Sequence, residues 1–213
     1  MNGPLSAKAL EPDAQRRGGG EVHTLRVAAD RVPDEELVRR ALEREPWAEE
    51  TIYRRHVAFV AGISLRLLRN QAEAEDVTQE TFALALEQLG KLRDPQALRS
   101  WLARIAVSRV RRRFRRQRIL QTLGIGRACD AELESVAAPG ASAEVRAELA
   151  ALSRVLAKLP MEQQIAWTLR HIEGEELEQV ARACDCSLAT AKRRIDAAEA
   201  RIRLHVRLSQ EAT

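Results

Sequence analysis

The sequence predicts an all-α fold: two small helical domains joined by a flexible linker, the second carrying a helix-turn-helix. Three observations lead there. Leu, Ala, Arg and Glu dominate the 213 residues while aromatics make up 3%, so helix formers abound and strand formers are scarce. Apolar residues recur at steps of three and four from Pro33 to Arg118 and again from Glu144 to Leu208, the helical period. Between these blocks lie Gly124, Gly126, Pro139 and Gly140 with weak periodicity, the composition of a domain boundary.

The elements follow in order. Residues 1–32 mix Pro, Gly, Arg and acids without period and read as a disordered tail. The first domain spans 33–118. Asp34 is placed to cap a helix whose inner face holds Leu37, Val38, Ala41 and Leu42. Pro46 opens a second helix with Ile52, Tyr53, Val57, Val60 and Leu67 inward, and Asn70 stops it. A third runs from about Ala72 to Leu89 with Val77, Phe82, Ala85, Leu86 and Leu89 inward, and Gly90 ends it. After the short loop 91–96, a fourth helix carries Trp101, Leu102, Ile105, Ala106 and Val110 into a run of arginines. Residues 119–143 form the linker, and 144–208 the second domain. There Val145, Leu149, Leu152, Leu156 and Leu159 share one face until Pro160 interrupts the helix. Met161–His171 and Glu175–Cys184 are the next helices. The last, from about Ser187 to Leu208, sets Ile195, Ala198, Ile202 and Val206 inward. Trp47, Trp167 and Phe59 read as core residues or interface anchors.

Lys and Arg total 35 against 31 Asp and Glu, a balance that by itself says little. The distribution says more. Residues 34–90 hold 12 acids and 7 bases, whereas 91–118 hold 11 bases and the single acid Asp94. A split this sharp predicts one acidic protein-facing surface and one nucleic-acid-facing surface. Three cysteines form no disulfide framework and point to a reducing compartment. No apolar run approaches the ~18 residues of a membrane span, and the N-terminus lacks a signal-peptide core. The expected location is the cytoplasm, without membrane insertion. No nucleophile–base constellation, phosphate-binding glycine loop or metal cluster is visible. Cys184-x-Cys186 near His171 has the wrong spacing for zinc. The expectation is a binding factor, not an enzyme, with no cofactor.

Two stretches carry nucleic-acid chemistry. Leu177, Val180 and Ala181 sit on a short helix, Asp185-Cys186-Ser187 makes a tight connection, and Ser187 can cap the helix that follows. That is the helix-turn-helix pattern, whose second helix enters the major groove. Ser187, Thr190, Lys192, Arg193 and Arg194 lie where such a helix meets DNA. Arg can pair with guanine in bidentate fashion, and Lys mostly neutralises phosphate. The second stretch is Arg104, Arg109, Arg111, Arg112, Arg113, Arg115, Arg116 and Arg118, within which no acid occurs. Such density needs an anionic partner, and a DNA backbone supplies one. A third stretch, Ala74 to Phe82, is an amphipathic helix with an acidic exposed face.

In this order the stretches resemble the extracytoplasmic-function sigma factors of bacterial RNA polymerase. Glu75-Asp76-Val77-Thr78-Gln79-Glu80-Thr81-Phe82 is similar to the family's second conserved domain. Arg99-Ser100-Trp101-Leu102-Ala103-Arg104-Ile105-Ala106 is similar to its promoter-melting segment. Leu159-Pro160-Met161-Glu162-Gln163-Gln164 and the helix-turn-helix resemble its fourth conserved domain. The resemblance covers about residues 34–206. It implies a sigma factor that binds core RNA polymerase, through the β′ clamp helices and the β flap, and directs promoter recognition and melting. Glu75, Asp76, Gln79 and Glu80 would bind polymerase. Arg99, Trp101, Arg104, Ser108, Arg109, Arg112, Arg113 and Arg116 would serve the minus-ten element, although Trp101 also reads as core. Ser187, Thr190, Lys192, Arg193 and Arg194 would serve the minus-thirty-five element. An anti-sigma protein is a further implied partner.

The chain departs from the family pattern at Ser108 and Arg112, where Asn and Asp are frequent, and in its turn. Asp185-Cys186-Ser187-Leu188-Ala189-Thr190-Ala191 lacks the usual glycines and proline, which removes backbone permissiveness. The melting loop, Leu92 to Leu98, has no aromatic to stack on a flipped base. Two other readings remain open from the residues alone. One is a helix-turn-helix regulator that never joins polymerase; the other is a helical adaptor that binds RNA or an acidic protein.

Overall fold

Residues 31–122, 142 and 151–211 are described by a computed structural model, and every regular element among them is helical. The first half consists of α1 (Asp34–Leu42), α2 (Pro46–Leu68), α3 (Gln71–Glu87) and α4 (Leu98–Thr122). Short 3-10 turns at Leu89–Lys91 and Pro95–Ala97 connect α3 to α4. The second half begins within α5, described over 151–157. It continues through α6 (Met161–Trp167), a π-helical turn (Thr168–Ile172), α7 (Leu177–Ala183) and α8 (Leu188–Glu211). The expected tail lies outside the described residues apart from positions 31 and 32, as do Val145, Leu149 and the expected linker apart from 119–122 and 142; residues 119–122 are not linker but the last turn of α4, since nothing there breaks the helix before Gly124.

Helix ends explain where the sequence reading shifts. Pro33, not Asp34, is the N-cap of α1; the Asp34 carboxylate instead accepts from Arg55 at 2.5 Å and lies 3.3 Å from His56. Pro46 occupies the first turn of α2, and Arg69 ends that helix in the left-handed conformation, φ 57°. Asn70 is therefore not the stop of α2. It caps α3, accepting from the backbone N–H of Glu73 at 2.9 Å, the short-side-chain role that favours Asn at this position. Gly90 does not cap α3, which ends at Glu87; it sits inside the 3-10 turn that follows. Glu176 and Gln179 form a reciprocal capping box at the start of α7.

α2, α3 and α4 pack on one another and α1 lies against α2. Their core holds Leu37, Ile52, Ile63, Leu67, Val77, Leu98, Leu102 and Val107, each under 2% exposed. Buried hydroxyls of Ser64, Thr78 and Thr81 donate to the carbonyl four residues back, so none is stranded. Two expected core residues face water instead. Leu42, at the end of α1, is 51% exposed, and Tyr53 is 43% exposed, touching Phe82 edge-on. Trp47 is likewise exposed and donates its indole N–H to Glu45.

The two halves share one apolar core. Ile165, Ala166, Leu169, Val180 and Ala191 of the second half belong to the same cluster as Ile63, Leu102 and Val107 of the first. The main seam runs between α4 and α7. A smaller cluster, Leu156, Leu159 and Ala198 with Trp167 and Ile202, ties α5 to α8.

Ion pairs border this seam with one polarity: arginines of the first half on carboxylates of the second. Arg66 meets Glu173 at 2.6 Å, Arg99 meets Glu175 at 2.6 Å, and Arg104 meets Asp185 at 3.3 Å. Arg111 donates twice to Glu162, at 2.8 and 2.6 Å. Gly62 leaves room for the first pair as it lies. A β-carbon there would overlap the Arg66 guanidinium, which lies across the helix surface to reach Glu173.

Candidate nucleic-acid interface

The acidic helix and the arginine helix are neighbours, α3 against α4. Glu75, Asp76 and Gln79 are exposed. Glu80 is half-buried and accepts from Arg113 at 2.6 Å, with Arg109 at 4.0 Å. Asp76 lies 3.8 Å from Arg113. An open groove of about 430 Å³ runs between the helices, lined by Glu80, Glu87, Arg109, Arg112, Arg113 and Arg116 among others. Ser108, Arg112, Arg115, Arg116 and Arg118 point to solvent. Arg109 and Arg113 are only 23% and 19% exposed, so the run divides into arginines turned to the acidic helix, arginines paired at the seam (Arg104 and Arg111) and arginines presented outward.

Trp101 aside, the expected minus-ten residues fall into three groups. Ser108, Arg112 and Arg116 are presented, and Arg109 and Arg113 are held by Glu80. Arg99 and Arg104 are engaged at the seam. Arg99 also donates to the Glu173 carbonyl at 3.3 Å and stacks 3.6 Å above the Phe59 ring. Trp101 is half-buried and packs against the main core. In the loop before α4, Asp94 accepts from the backbone N–H of Gln96 at 3.0 Å and closes the turn.

The helix-turn-helix forms from α7 and α8. Its turn, short of glycine, closes because Asp185 takes the left-handed conformation, φ 52°, which Asp tolerates better than most side chains. The Cys186 N–H then reaches the Ala181 carbonyl at 3.0 Å. Ser187 accepts from the Thr190 N–H at 3.2 Å and donates its own hydroxyl proton to the Thr190 Oγ1 at 2.9 Å. Ala191, Ile195 and Ala198 face inward. Leu188, Ala189, Lys192, Arg193 and Asp196 face outward. Arg194 turns inward, its Nη1 buried 3.0 Å from Glu162 Oε2.

The sequence reading missed Glu162, Glu173 and Glu175. Glu175 is 3% exposed and its Oε2 has no hydrogen-bond partner among the described residues. Burial pushes the Glu173 carboxyl above its ordinary value of 4.5, against the pull of Arg66 and Arg99. Cys184 lies in the same seam, its backbone carbonyl accepting from Arg111 at 3.1 Å. Burial raises its thiol to about 12, the behaviour of a packed and unreactive cysteine.

Comparison with known proteins agrees with this geometry. The profile of Sigma-70 region 2 matches residues 52–119, and that of Sigma-70, region 4 matches 149–202. The RNA polymerase sigma-H factor of Pseudomonas aeruginosa is 28% identical over 170 residues, 76% of this chain and 88% of that protein. The ECF RNA polymerase sigma factor SigM of Mycobacterium tuberculosis is 29% identical over 170 residues, 79% of this chain and 82% of that one. Among solved structures, the sigma factor RpoE of Bartonella quintana, crystallised with the anti-sigma factor NepR, superposes with a TM-score of 0.60 at 22% identity. The match covers 73% of this chain and 94% of that one. An all-helical chain with region 2 and region 4 in this order, an arginine helix and a capped recognition helix is a promoter-directing sigma factor. Within that class, the chain belongs to the extracytoplasmic-function sigma factor family.

Proposed function

We infer that this protein joins core RNA polymerase and brings it to promoters, using a separate surface for each partner. The observation that carries the reading is the adjacency of α3 and α4: exposed Glu75, Asp76 and Gln79 on one helix, outward arginines on the next. The acids suit a protein partner, namely the β′ clamp helices of polymerase. Arg112, Arg116 and their outward neighbours suit the phosphate backbone at the minus-ten element. The domain at 33–118 takes these two tasks. The domain at 144–208 reads the minus-thirty-five element with α8 and meets the β flap, and the segment that follows α4 joins the two. Glu175 occupies an arginine that DNA could otherwise use, so Arg99 reaches the minus-ten region only once the halves part, whereas Arg104 keeps 56% of its side chain in water.

The protein works in the cytoplasm, where polymerase is. Among the described residues no helix is long and apolar enough to cross a membrane. It acts by binding, not by catalysing a reaction of its own. An anti-sigma protein is a further partner, as in the RpoE–NepR complex.

Run-off transcription with core polymerase on fragments of the source genome tests the reading. Discrete start sites that depend on the protein are expected. Sequence-selective DNA binding without transcripts would instead indicate a regulator that never joins polymerase, and neither activity would favour the adaptor.

A further inference from the structure

This inference deepens the promoter-binding reading and rests on it. On an α-helix successive residues turn by about 100°. Leu188, Ala189, Lys192, Arg193 and Asp196 therefore fall within an arc of about 140°, and all five are exposed. Thr190 and Arg194 lie outside that arc. Thr190 shares its hydroxyl with the Ser187 cap. Arg194 keeps 24% of its side chain in water, with Nη1 buried against Glu162. Both Arg194 and Glu162 belong to the second half, and Glu162 is shared with Arg111 of the first.

Leu188 opens the recognition helix and is 45% exposed. The cap beside it turns the chain into the helix and leaves its side chain at the leading end, where a major-groove helix meets base edges. In the major groove only thymine offers a methyl group, and an apolar side chain is its partner. Arg193 on the same face suits guanine, and Asp196 can accept from the amino group of cytosine.

We propose that the upstream promoter box is read by this five-residue face, with Leu188 packed on a thymine methyl, and that Arg194 reads no base. Arg194 is a positioning residue: it ties α8 to the start of α6 through Glu162 and sets the pitch at which the face enters the groove.

The test uses the full chain assembled with core polymerase on a promoter library with a randomised upstream block, sequencing the transcribed templates. Wild type is expected to enrich a box containing at least one invariant thymine. Replacing that thymine by deoxyuridine, which deletes only the methyl, weakens wild type about four-fold. Leu188→Ala loses the preference at that position alone and is indifferent to the deoxyuridine. Arg194→Lys, which keeps a cation for Glu162 but cannot form a guanine fork, retains the wild-type box. Arg194→Met lowers output on all templates alike.

Three results overturn the proposal while leaving the promoter-binding reading intact: a Leu188→Ala box identical to wild type, deoxyuridine without effect on wild type, or a changed base preference in Arg194→Lys. A wild-type chain that enriches no box at all overturns the reading and the inference together.

Discussion

Replacing Arg99 by methionine isolates the cost of the most buried carboxylate in the seam. Glu175 is 3% exposed and meets Arg99 at 2.6 Å. Removing one partner of a fully buried pair costs about 3–5 kcal/mol, because the remaining charge stays desolvated. Arg99 keeps 42% of its side chain in water, so its loss admits solvent and brings the penalty to about 2 kcal/mol. The stacking on Phe59, at 3.6 Å, adds about 0.5–1 kcal/mol. The expected loss is therefore about 2–3 kcal/mol. The double variant Arg99→Met with Glu175→Leu removes both members of this pair. It should return to within about 1 kcal/mol of wild type or exceed it, as when apolar residues replace a buried pair. Urea unfolding followed by circular dichroism and by tryptophan fluorescence measures both values. The fluorescence sums Trp47 and Trp101 of the first half and Trp167 of the second, and transitions coincident with the circular dichroism license a single free energy. A loss under 0.5 kcal/mol in the single variant, or a double variant no more stable than the single, would refute the argument that Glu175 is held desolvated by Arg99.

Three further outcomes are expected. Asp76→Lys with Glu80→Lys should weaken binding to core polymerase at least about ten-fold, since like charge juxtaposed at an interface costs several kcal/mol. It should spare an upstream-box duplex, and equal loss of both would defeat the division of labour. Asp34 is held below its ordinary 3.8, foremost by the His56 side chain 3.3 Å away and despite burial. A depressed acid stabilises the fold above its unfolded value and loses that contribution as pH falls through the folded value. Asp34→Asn should therefore be less stable at neutral pH and flatter below about pH 4 in a melting-temperature series; a parallel offset at every pH would contradict this. Cys184, raised to about 12, should resist iodoacetamide at pH 8 in the native protein while half-buried Cys186 reacts. Peptide mass spectrometry resolves the two, and equal native rates would show that the seam does not bury Cys184.

What could be read from the sequence was whatever a local rule decides. Periodicity found α1 to α4 and α6 to α8 in order. The Ser187 cap and the recognition helix followed from a hydroxyl placed before a basic helix start. Local rules failed where two of them compete for one residue. Asn70 can stop one helix or start the next, and the backbone N–H of Glu73 decides for starting. Gly90 can cap a helix, but a 3-10 turn already follows α3. Lacking glycine, the turn was expected to lose freedom, yet one left-handed aspartate closes it. Tyr53 kept helical spacing but only its edge found a partner, in Phe82. The seam lay beyond any local rule. Its pairs join residues 51 to 107 positions apart, such as Arg111 with Glu162 and Arg66 with Glu173. Reading Arg99 and the arginines of the run as DNA-facing could not reveal that Arg99, Arg104 and Arg111 pair within the chain itself.

The one-way polarity of that seam has a consequence for how long the two halves stay together. Desolvation nearly cancels the attraction in pairs such as Arg99 with Glu175, so they add little net adhesion. They penalise misalignment instead, because a shifted arginine strands a carboxylate. Adhesion comes from the apolar side chains between α4 and α7. Alignment and dwell time are thus governed by different residues. Trimming the apolar side chains that α4 and α7 share would shorten the closed state, whereas exchanging the charges would let it close out of step.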